Sequence, residues 1–160
     1  MSEVTPSLFS AVVTAPFGRM GIRIEADELR ELVYLPPSYE LRTPRDTLSR
    51  EVAAQLKMYF KQPDFEFALP LPEVGTEHQR KVWQQILAIP CGAVLTYAQV
   101  ARRIGSAPRA VGQACGANWF PLIIPCHRVI GSNGKLTGFG GGLPVKEKLL
   151  KLESRQLHIL

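Results

Sequence analysis

The spacing of hydrophobic residues divides the chain into a strand-rich N-terminal half and a helical C-terminal half. Three β-rich runs, Leu8 to Thr14, Met20 to Glu25 and Glu31 to Leu35, are separated by turn-forming residues and predict a short antiparallel meander. From Thr47 to Phe60 the hydrophobic residues recur at mostly helical spacing, which predicts a helix packed on one face of that sheet. The first half is therefore expected to be a small α+β unit.

Helix signals dominate the second half. Two capping boxes, Thr76 to Gln79 and Thr96 to Gln99, indicate helix starts, because Thr and Gln side chains can satisfy the free amides of a first turn. Gly105 can end the second of these helices, and Ser106 is the expected cap of another helix from Ala107 to about Ala117. Two short helices joined by a tight turn predict a helix-turn-helix, although αα corners with no DNA role share this pattern.

The last of these helices would offer a surface of small residues around one long cation. The residues are Ala107, Ala110, Gly112, Ala114, Gly116 and Ala117, with Arg109 as the cation. Small side chains let a helix backbone approach a groove closely, and few side chains here could read base edges. The surface therefore favours a sequence-tolerant approach, in the shallower groove. An Ala/Gly helix packed in a core is the alternative interpretation.

An apolar run delivers the cluster Cys126-His127-Arg128, which follows Pro125, and this run is expected to be a buried strand. Most single cysteines are inert, but a neighbouring base or positive charge favours the reactive thiolate, and His127 and Arg128 can supply both. Adjacent residues of an extended strand point to opposite faces. A bridging water, or a turn after Pro125, is therefore required between Cys126 and His127.

The imidazole of His127 also needs a partner that fixes its tautomer. The acids of the basic half are Glu147 and Glu153, on a helix predicted to begin at Leu143-Pro144 with Val145, Leu149 and Leu152 on its inner face. Glu153 lies next to that face, so we predict that it orients His127. Glu147 is expected to be solvated.

Between the cysteine cluster and the last helix, Ser132 to Gly134 predicts a hairpin turn, and three glycines follow Phe139. Consecutive glycines beside an aromatic residue permit close approach to a flat ligand. A flexible linker is the alternative, and no phosphate-loop Lys-Ser/Thr follows.

The sequence predicts two domains, residues 1–75 and 76–160, and charge is distributed unevenly on either side of a nearby division after Glu77. Residues 1–77 hold eight Lys/Arg and twelve Asp/Glu, a net charge of −4, whereas residues 78–160 hold eleven and two, a net charge of +9. A basic half beside an acidic half indicates a surface that meets a polyanion. On charge alone, a solvated basic surface without a partner is an equal alternative.

Composition favours a folded protein in a reducing compartment. The chain has 160 residues, 46% of them hydrophobic, and its N-terminus lacks a basic segment followed by an apolar stretch. We therefore expect a cytoplasmic protein that is neither exported nor inserted in a membrane. Cys91, Cys115 and Cys126 are too few for a disulfide framework and are expected to be free thiols. No Cys or His precedes His78, which argues against an N-terminal zinc site, and no metal is expected.

Most of the chain resembles the O6-alkylguanine-DNA alkyltransferase (methylated-DNA–protein-cysteine methyltransferase) family, in its bacterial Ogt-like form. The match is densest from Gln79 to Glu153. The motifs that carry it, in order, are Gln79-x-x-Val-Trp83, Ile89-Pro-x-Gly92, Thr96-Tyr97, Arg109-Ala-Val-Gly112, Pro125-Cys-His-Arg-Val129, Gly138-Phe-x-Gly-Gly142 and Lys146-Glu-x-Leu-Leu150. The resemblance implies an α+β fold, with a ribonuclease H-like N-terminal domain before a mostly helical domain that contains the helix-turn-helix and a short hairpin.

The resemblance also implies direct-reversal DNA repair. An O6-alkylguanine is flipped out of duplex DNA and its alkyl group passes irreversibly to Cys126, so each molecule reacts once. The implied enzyme is a methylated-DNA–protein-cysteine S-methyltransferase, whose partner is double-stranded DNA carrying alkylated guanine, with no cofactor. A monomer is expected; cooperative binding along DNA and action on O4-alkylthymine are left open.

Residue roles follow from the same resemblance. Cys126 is the alkyl acceptor, His127 is its base through a water, and Glu153 orients His127. Tyr97 helps rotate or hold the flipped base, and Asn118 is the hinge between the helix-turn-helix and the active-site segment. DNA contacts are expected from Arg109, which takes the place of the flipped nucleotide in the base stack, and from Ala110, Gly112, Tyr97, Thr96 and Arg128. The substrate pocket is expected to include Val129, Phe139, Gly140, Gly141 and Cys115.

Two positions depart from the family pattern. His78 stands where Phe is common, and Trp119 stands where Pro commonly follows the hinge asparagine.

Two other interpretations of the protein's function stay open. A helix-turn-helix regulator with a structural cysteine would bind DNA sequence-selectively and keep its thiol. A cysteine enzyme acting on a small molecule would show multiple turnover and indifference to DNA.

Overall fold

The computed structural model describes residues 9–132 and 142–159, with backbone only from residue 155. The chain divides into two compact units, Met1–Pro72 and Glu73–Leu160. In the described ranges, no helix combines the length and the apolar character that crossing a membrane requires.

The N-terminal unit is built on an antiparallel sheet in the order β1-β2-β3. The strands are β1 (Ala11–Ala15), β2 (Gly18–Glu25) and β3 (Glu28–Leu35). Alternation places Met20 and Ile22 of β2 fully inside. The predicted meander is confirmed, with β1 beginning later in the chain than its hydrophobic run.

Helix α1 (Thr47–Lys61) packs against all three strands, as the spacing predicted. Its start is fixed by Asp46, whose carboxylate accepts a hydrogen bond from the Ser49 amide at 2.7 Å. Buried Gln55 holds the following segment in place, because its side chain both donates to the Ala68 carbonyl (3.0 Å) and accepts from the Ala68 amide (2.8 Å). The unit is thus a helix on one sheet, which confirms the α+β class; the ribonuclease H-like resemblance stays a prediction.

The turn between β2 and β3 is strained, because Ala26 (φ 52°) and Asp27 (φ 59°) both adopt left-handed backbone conformations. Two consecutive positive φ angles define a type I′ hairpin turn, whose first position favours Asn or Asp over Ala. We expect Ala26→Asn to raise the free energy of unfolding by roughly 0.5–1 kcal/mol. Urea unfolding followed by circular dichroism measures this, and an unchanged or lower midpoint would contradict the strain argument.

The C-terminal unit is mostly helical, with α2 (Glu77–Leu87), α3 (Tyr97–Ile104), α4 (Pro108–Gly116) and α5 (Leu143–Ile159). Helices α2, α3 and α4 pack against one another. Both predicted capping boxes are present in full, one at the start of α2 and the other at the start of α3. The helical character of this half is therefore confirmed.

A left-handed Gly105 (φ 67°) ends α3, as predicted, and a short turn leads into α4. The predicted cap at Ser106 is wrong. Its hydroxyl instead lies 2.8 Å from Nε2 of His78, and α4 begins after Ala107 without a side-chain cap. Pro108 occupies the first helical position, where its missing N–H costs no hydrogen bond.

The segment that leads to Cys126 is not the predicted strand. The Ile124 amide donates to the Phe120 carbonyl at 2.9 Å, and Leu122 between them has a positive φ of 76°. The segment is therefore a buried, irregular turn. Beyond it, β5 (Val129–Ile130) pairs in parallel with β4 (Leu95–Thr96), a contact that the sequence did not predict.

Candidate functional site

Cys126 and His127 lie in a single turn of 3-10 helix, Cys126–Arg128. The turn forms because the Arg128 amide donates to the Pro125 carbonyl at 2.9 Å. Both the Cys126 and the His127 side chains are buried. The chain therefore turns after Pro125, which is one of the two arrangements that the sequence analysis allowed.

Glu153 on α5 joins His127 and Arg128 in one buried cluster. Nε2 of His127 lies 2.8 Å from Oε2 of Glu153. Arg128 approaches the same carboxylate with two donors, Nε to Oε1 and Nη2 to Oε2, both at 2.9 Å. The Arg128 Nη1 donates to the Ile89 carbonyl at 2.6 Å. A bidentate pair of this kind fixes the carboxylate in one orientation.

The charges of this cluster determine the tautomer of His127. Burial would raise the pKa of Glu153, but the hydrogen bonds from His127 and Arg128 outweigh it and lower the pKa to about 2. Burial lowers the pKa of His127 despite the hydrogen bond to Glu153. At neutral pH an ionised carboxylate therefore faces a neutral imidazole. Since the carboxylate can only accept, Nε2 carries the proton and Nδ1 has a free lone pair.

Nδ1 of His127 is itself buried and has no hydrogen-bond partner among the residues that the structure describes. A buried polar atom without a partner is costly and rare. The ring is thus held as a base with its accepting nitrogen available.

The Cys126 sulfur contacts two neighbouring side chains. Nδ2 of Asn118 donates to it at 3.2 Å. A side-chain hydrogen bond also joins the thiols of Cys126 and Cys115. The pKa of Cys126 is raised well above its usual range, mainly by this hydrogen bond and secondly by burial. The same hydrogen bond lowers the pKa of Cys115. Cys126 at rest is therefore a protonated thiol, and its proton has to be removed before it can react.

Lys146 is a fully buried cation whose charge acts on both thiols. Its Nζ donates to the Val129 carbonyl at 2.6 Å and lies 3.4 Å from the Tyr97 hydroxyl. Burial lowers the pKa of Lys146, while the neighbouring Cys115 and Cys126 raise it. The lysine charge in turn favours ionisation of both thiols.

Asn118 holds the turn that carries Cys126. Its Nδ2 also donates to the Ile124 carbonyl at 2.8 Å, and its Oδ1 accepts from the Phe120 amide at 2.9 Å. Its own amide donates to the Cys115 carbonyl at 3.2 Å. The residue that was predicted as a hinge thus connects the end of α4 to the buried turn.

A cavity of about 420 Å³ opens between α3, α4 and the segment after β5. Tyr97, Arg109 and Gly112 line it, together with Ala98, Pro108, Gln113, Gly131 and Ser132. Arg109 is exposed. Tyr97 connects this cavity to Lys146, the cation that acts on both thiols, because the Lys146 Nζ donates to the Tyr97 hydroxyl at 3.4 Å.

Two glycines of α4, Gly112 and Gly116, are not crowded by any of the residues that the structure describes. Within the described part of the chain, a Cβ added at Gly116 would meet no atom within 4 Å, and one at Gly112 would only touch the Tyr97 ring at 4.0 Å. Glycine inside a helix costs roughly 1 kcal/mol relative to alanine. Contacts with the described residues therefore do not require glycine at either position.

Several predicted site residues occupy other positions than expected. Arg128 was predicted to contact DNA, but its guanidinium is held by Glu153 and its side chain is only 11% exposed. Ala114 was predicted on the open face of α4, but it is buried, and its carbonyl accepts from Trp83 Nε1 at 2.9 Å. The Thr96 hydroxyl caps α3.

Other predictions concern the segment after the cluster or the last helix. Glu147 is exposed, as expected, in an ion pair with Lys151. Phe139, Gly140, Gly141 and the hairpin turn expected at Ser132 to Gly134 fall on or next to residues 133–141, which lie outside the described residues.

Sequence reasoning missed Lys146, which it quoted only as part of a motif. A signal was present, because Lys146, Leu149 and Glu153 have the spacing of one buried helix face. The contact between Cys115 and Cys126 had no comparable signal, since it depends on the irregular turn that Asn118 stabilises.

A second cavity, of about 720 Å³, lies in the N-terminal unit between β1 and α1. Aliphatic groups and three cations, Arg50, Lys57 and Lys61, form much of its lining. Neither Cys nor His occurs in this half of the sequence. All thiols and imidazoles of the chain therefore belong to the C-terminal unit.

Fold and site together describe an α+β protein that holds a buried thiol beside an oriented imidazole. Residues 77–155 match the family model described as "6-O-methylguanine DNA methyltransferase, DNA binding domain". A Methanosarcina mazei methylated-DNA–protein-cysteine methyltransferase is 43% identical over 145 residues, 85% of this chain and 92% of the relative. The Mycobacterium leprae protein of the same name is 39% identical, over 89% of this chain and 90% of the relative.

A solved structure from a similar protein also matches this chain over most of its length. The Mycobacterium tuberculosis OGT in complex with DNA has a TM-score of 0.79 and 38% identity, over 91% of this chain and 92% of that one. With this identity and coverage, the chain belongs to the methylated-DNA–protein-cysteine methyltransferase family.

Proposed function

We propose that the protein repairs alkylated DNA directly, by moving the alkyl group from O6 of guanine to the Cys126 sulfur. The observation that carries the proposal is the arrangement of a buried thiol next to a neutral imidazole whose Nε2 is fixed on Glu153 at 2.8 Å. Family membership supplies the substrate class. The protein is proposed to act in the cytoplasm as a monomer.

The proton of the Cys126 thiol passes to Nδ1 of His127 by way of one bridging water. This step is needed because the pKa of Cys126 is raised by the Cys115 hydrogen bond and by burial. Lys146 stabilises the thiolate that forms, and Glu153 stabilises the imidazolium. A general base of this kind contributes typically 10²–10⁴-fold to a rate.

The thiolate then attacks the alkyl carbon as the bond from carbon to O6 breaks. The electron pair goes to the guanine oxygen, which needs a proton or a hydrogen-bond donor. The Tyr97 hydroxyl and the backbone amides near Gly140 are proposed for this role. The product is a thioether, which has no easy route to hydrolysis. Each molecule therefore reacts once and needs no cofactor.

Helices α3 and α4 are proposed as the helix-turn-helix that contacts DNA. A base inside a duplex cannot present its alkyl carbon to sulfur, so the nucleotide is flipped out at a cost of a few kcal/mol. Exposed Arg109 offsets part of this cost by filling the gap in the stack. The open space over Gly112 and Gly116 lets the helix backbone approach the minor groove.

The decisive experiment is mass spectrometry after incubation with a duplex that contains O6-methylguanine. Tryptic cleavage after Arg109 and Arg128 releases Ala110–Arg128. We expect this peptide to gain one methyl group on Cys126, in a one-to-one ratio with repaired guanine. Cys126→Ser should retain DNA binding and gain nothing. An intact fold with unmodified Cys126 would leave a DNA-binding regulator, and repeated turnover without DNA would indicate a small-molecule enzyme.

Arg109→Ala is expected to slow repair of duplex DNA at least tenfold, while reaction with free O6-benzylguanine changes little, because the arginine acts in nucleotide flipping. Rates of Cys126 alkylation on the two substrates measure this difference. Lys148→Ala, which removes an exposed cation of α5, is the control for net charge. Equal losses on both substrates would contradict the role of Arg109.

A further inference from the structure

The acceptor sulfur has a second thiol as its neighbour. Cys115 lies in the last turn of α4, and its sulfur accepts the hydrogen bond that the Cys126 thiol donates. Asn118 holds the two residues together, because its backbone amide binds the Cys115 carbonyl and its side chain binds the Cys126 sulfur, each at 3.2 Å. The reaction proposed above makes no use of a second thiol.

The two sulfurs differ in access and in charge. Cys126 is buried, whereas Cys115 is partly exposed. The hydrogen bond from Cys126 and the charge of Lys146 both favour the thiolate of Cys115 and lower its pKa, although burial acts in the opposite direction. Thiolates, not thiols, react with peroxides, and more accessible sulfurs react first. Of the pair, Cys115 is therefore the one that an oxidant attacks first.

We propose that Cys115 is an oxidation site that reacts with hydroperoxides and then closes a disulfide with Cys126. The site takes small hydroperoxides, with hydrogen peroxide as the simplest member of the class. Its chemistry requires neither DNA nor alkylation.

The steps balance as follows. The Cys115 thiolate attacks one oxygen of the peroxide, the O–O bond breaks, and with one proton the products are a sulfenic acid on Cys115 and water or an alcohol. Cys126, deprotonated by His127, attacks the sulfenic sulfur and displaces hydroxide, which leaves as water with that proton. Two thiol sulfurs lose two electrons in total, and the peroxide gains them. The S–S bond of about 2.05 Å requires the sulfurs to close in from hydrogen-bond contact.

The disulfide protects the acceptor from irreversible oxidation. A sulfur in a disulfide is not open to the sulfinic and sulfonic acid stages, and a dithiol reductant restores it. While the disulfide is present, Cys126 has no thiol proton to give to His127 and cannot form the thiolate that attacks the alkyl carbon. Alkyl transfer is therefore suspended and recoverable.

The test is peptide mapping of the full chain after hydrogen peroxide treatment and capping of remaining thiols with iodoacetamide. Trypsin places Cys115 and Cys126 together in Ala110–Arg128 and Cys91 in Val82–Arg102. We expect Ala110–Arg128 to lose two hydrogens and escape capping, while Cys91 is capped. Dithiothreitol should restore both capping and alkyl transfer. Oxygen atoms added to Cys126 without a disulfide would overturn the proposal, as would full capping of both cysteines under conditions that oxidise Cys91.

Matched variants separate the two thiols. Cys91→Ser should form the disulfide as the wild type does. In Cys115→Ser and Cys115→Ala, loss of Cys126 capping should be slower by roughly tenfold, because the first thiolate to react is gone. Equal rates in wild type and in either folded variant would refute the order of reaction. Untreated protein incubated with lesion-bearing duplex tests alkyl transfer independently, so failure of one proposal is distinguishable from failure of the other.

Discussion

Replacing Glu153 with glutamine is expected to destabilise the C-terminal unit by about 3–5 kcal/mol, because breaking a buried ion pair leaves an uncompensated charge. The amide would keep one acceptor where Arg128 and His127 now direct three donors. Its NH₂ group would face a guanidinium or an imidazole N–H. Equilibrium unfolding in guanidinium chloride measures the loss.

The matched control is Glu147→Gln, the same chemical change on the exposed face of the same helix. Glu147 pairs only at the surface with Lys151, so its loss should cost under about 0.5 kcal/mol. Similar losses in the free energy of unfolding for the two variants would refute the conclusion that Glu153 stabilises the buried cluster.

Acid stability provides a second readout of the same cluster. The folded pKa of Glu153 is about 2, below the unfolded value, so its contribution is complete above roughly pH 4.5 and is lost as pH falls towards 2. This contribution is about 3 kcal/mol. The pKa of His127 is also lowered, by burial, so stability should begin to fall already below about pH 6.5, where the unfolded histidine takes up a proton first. In Glu153→Gln the loss between pH 4.5 and 2 should be smaller by this contribution, while the part due to other carboxylates such as Asp46 remains.

Lys146→Met is expected to slow alkyl transfer at neutral pH by up to about tenfold, because a neighbouring positive charge favours the thiolate. Methionine keeps most of the side-chain volume in this buried position but removes the charge that favours the Cys126 thiolate. It also leaves the Val129 carbonyl without its 2.6 Å donor.

The pH dependence of the rate distinguishes a charge effect from a packing effect. If Lys146 acts through its charge, the profile of Lys146→Met should move to higher pH and recover much of the wild-type rate under alkaline conditions. A rate reduced equally at every pH would mean that the lysine only supports the structure. Lys148→Met, on the exposed face of α5, is expected to behave as the wild type.

Local signals in the sequence were sufficient for most elements of the fold. Both capping boxes and the glycine that ends α3 act within four residues of their own position, so they were predicted correctly. The approach to Cys126 was not, because an apolar run indicates burial without distinguishing a strand from a buried turn. Leu122 has a positive φ, which is rare for a bulky residue, and nothing in the local sequence indicates it.

The site shows the same division between local and long-range information. Glu153 was chosen correctly as the neighbour of His127 because few acids were available and one lay near an apolar helix face. The pairing of Arg128 with that same carboxylate was missed, since a cation next to a reactive cysteine is expected to act on the thiol. Only the fold shows that residues 25 positions apart form the pair.

The tight surroundings of Cys126 have a consequence for the spent protein. A methyl group on that sulfur adds volume at a buried position, and the bond to Cys115 disappears with the thiol proton. Overpacking of this kind typically costs about 1–3 kcal/mol. We therefore expect the protein methylated at Cys126, the proposed product of repair, to unfold more readily than the unmodified protein and to be more susceptible to proteolysis.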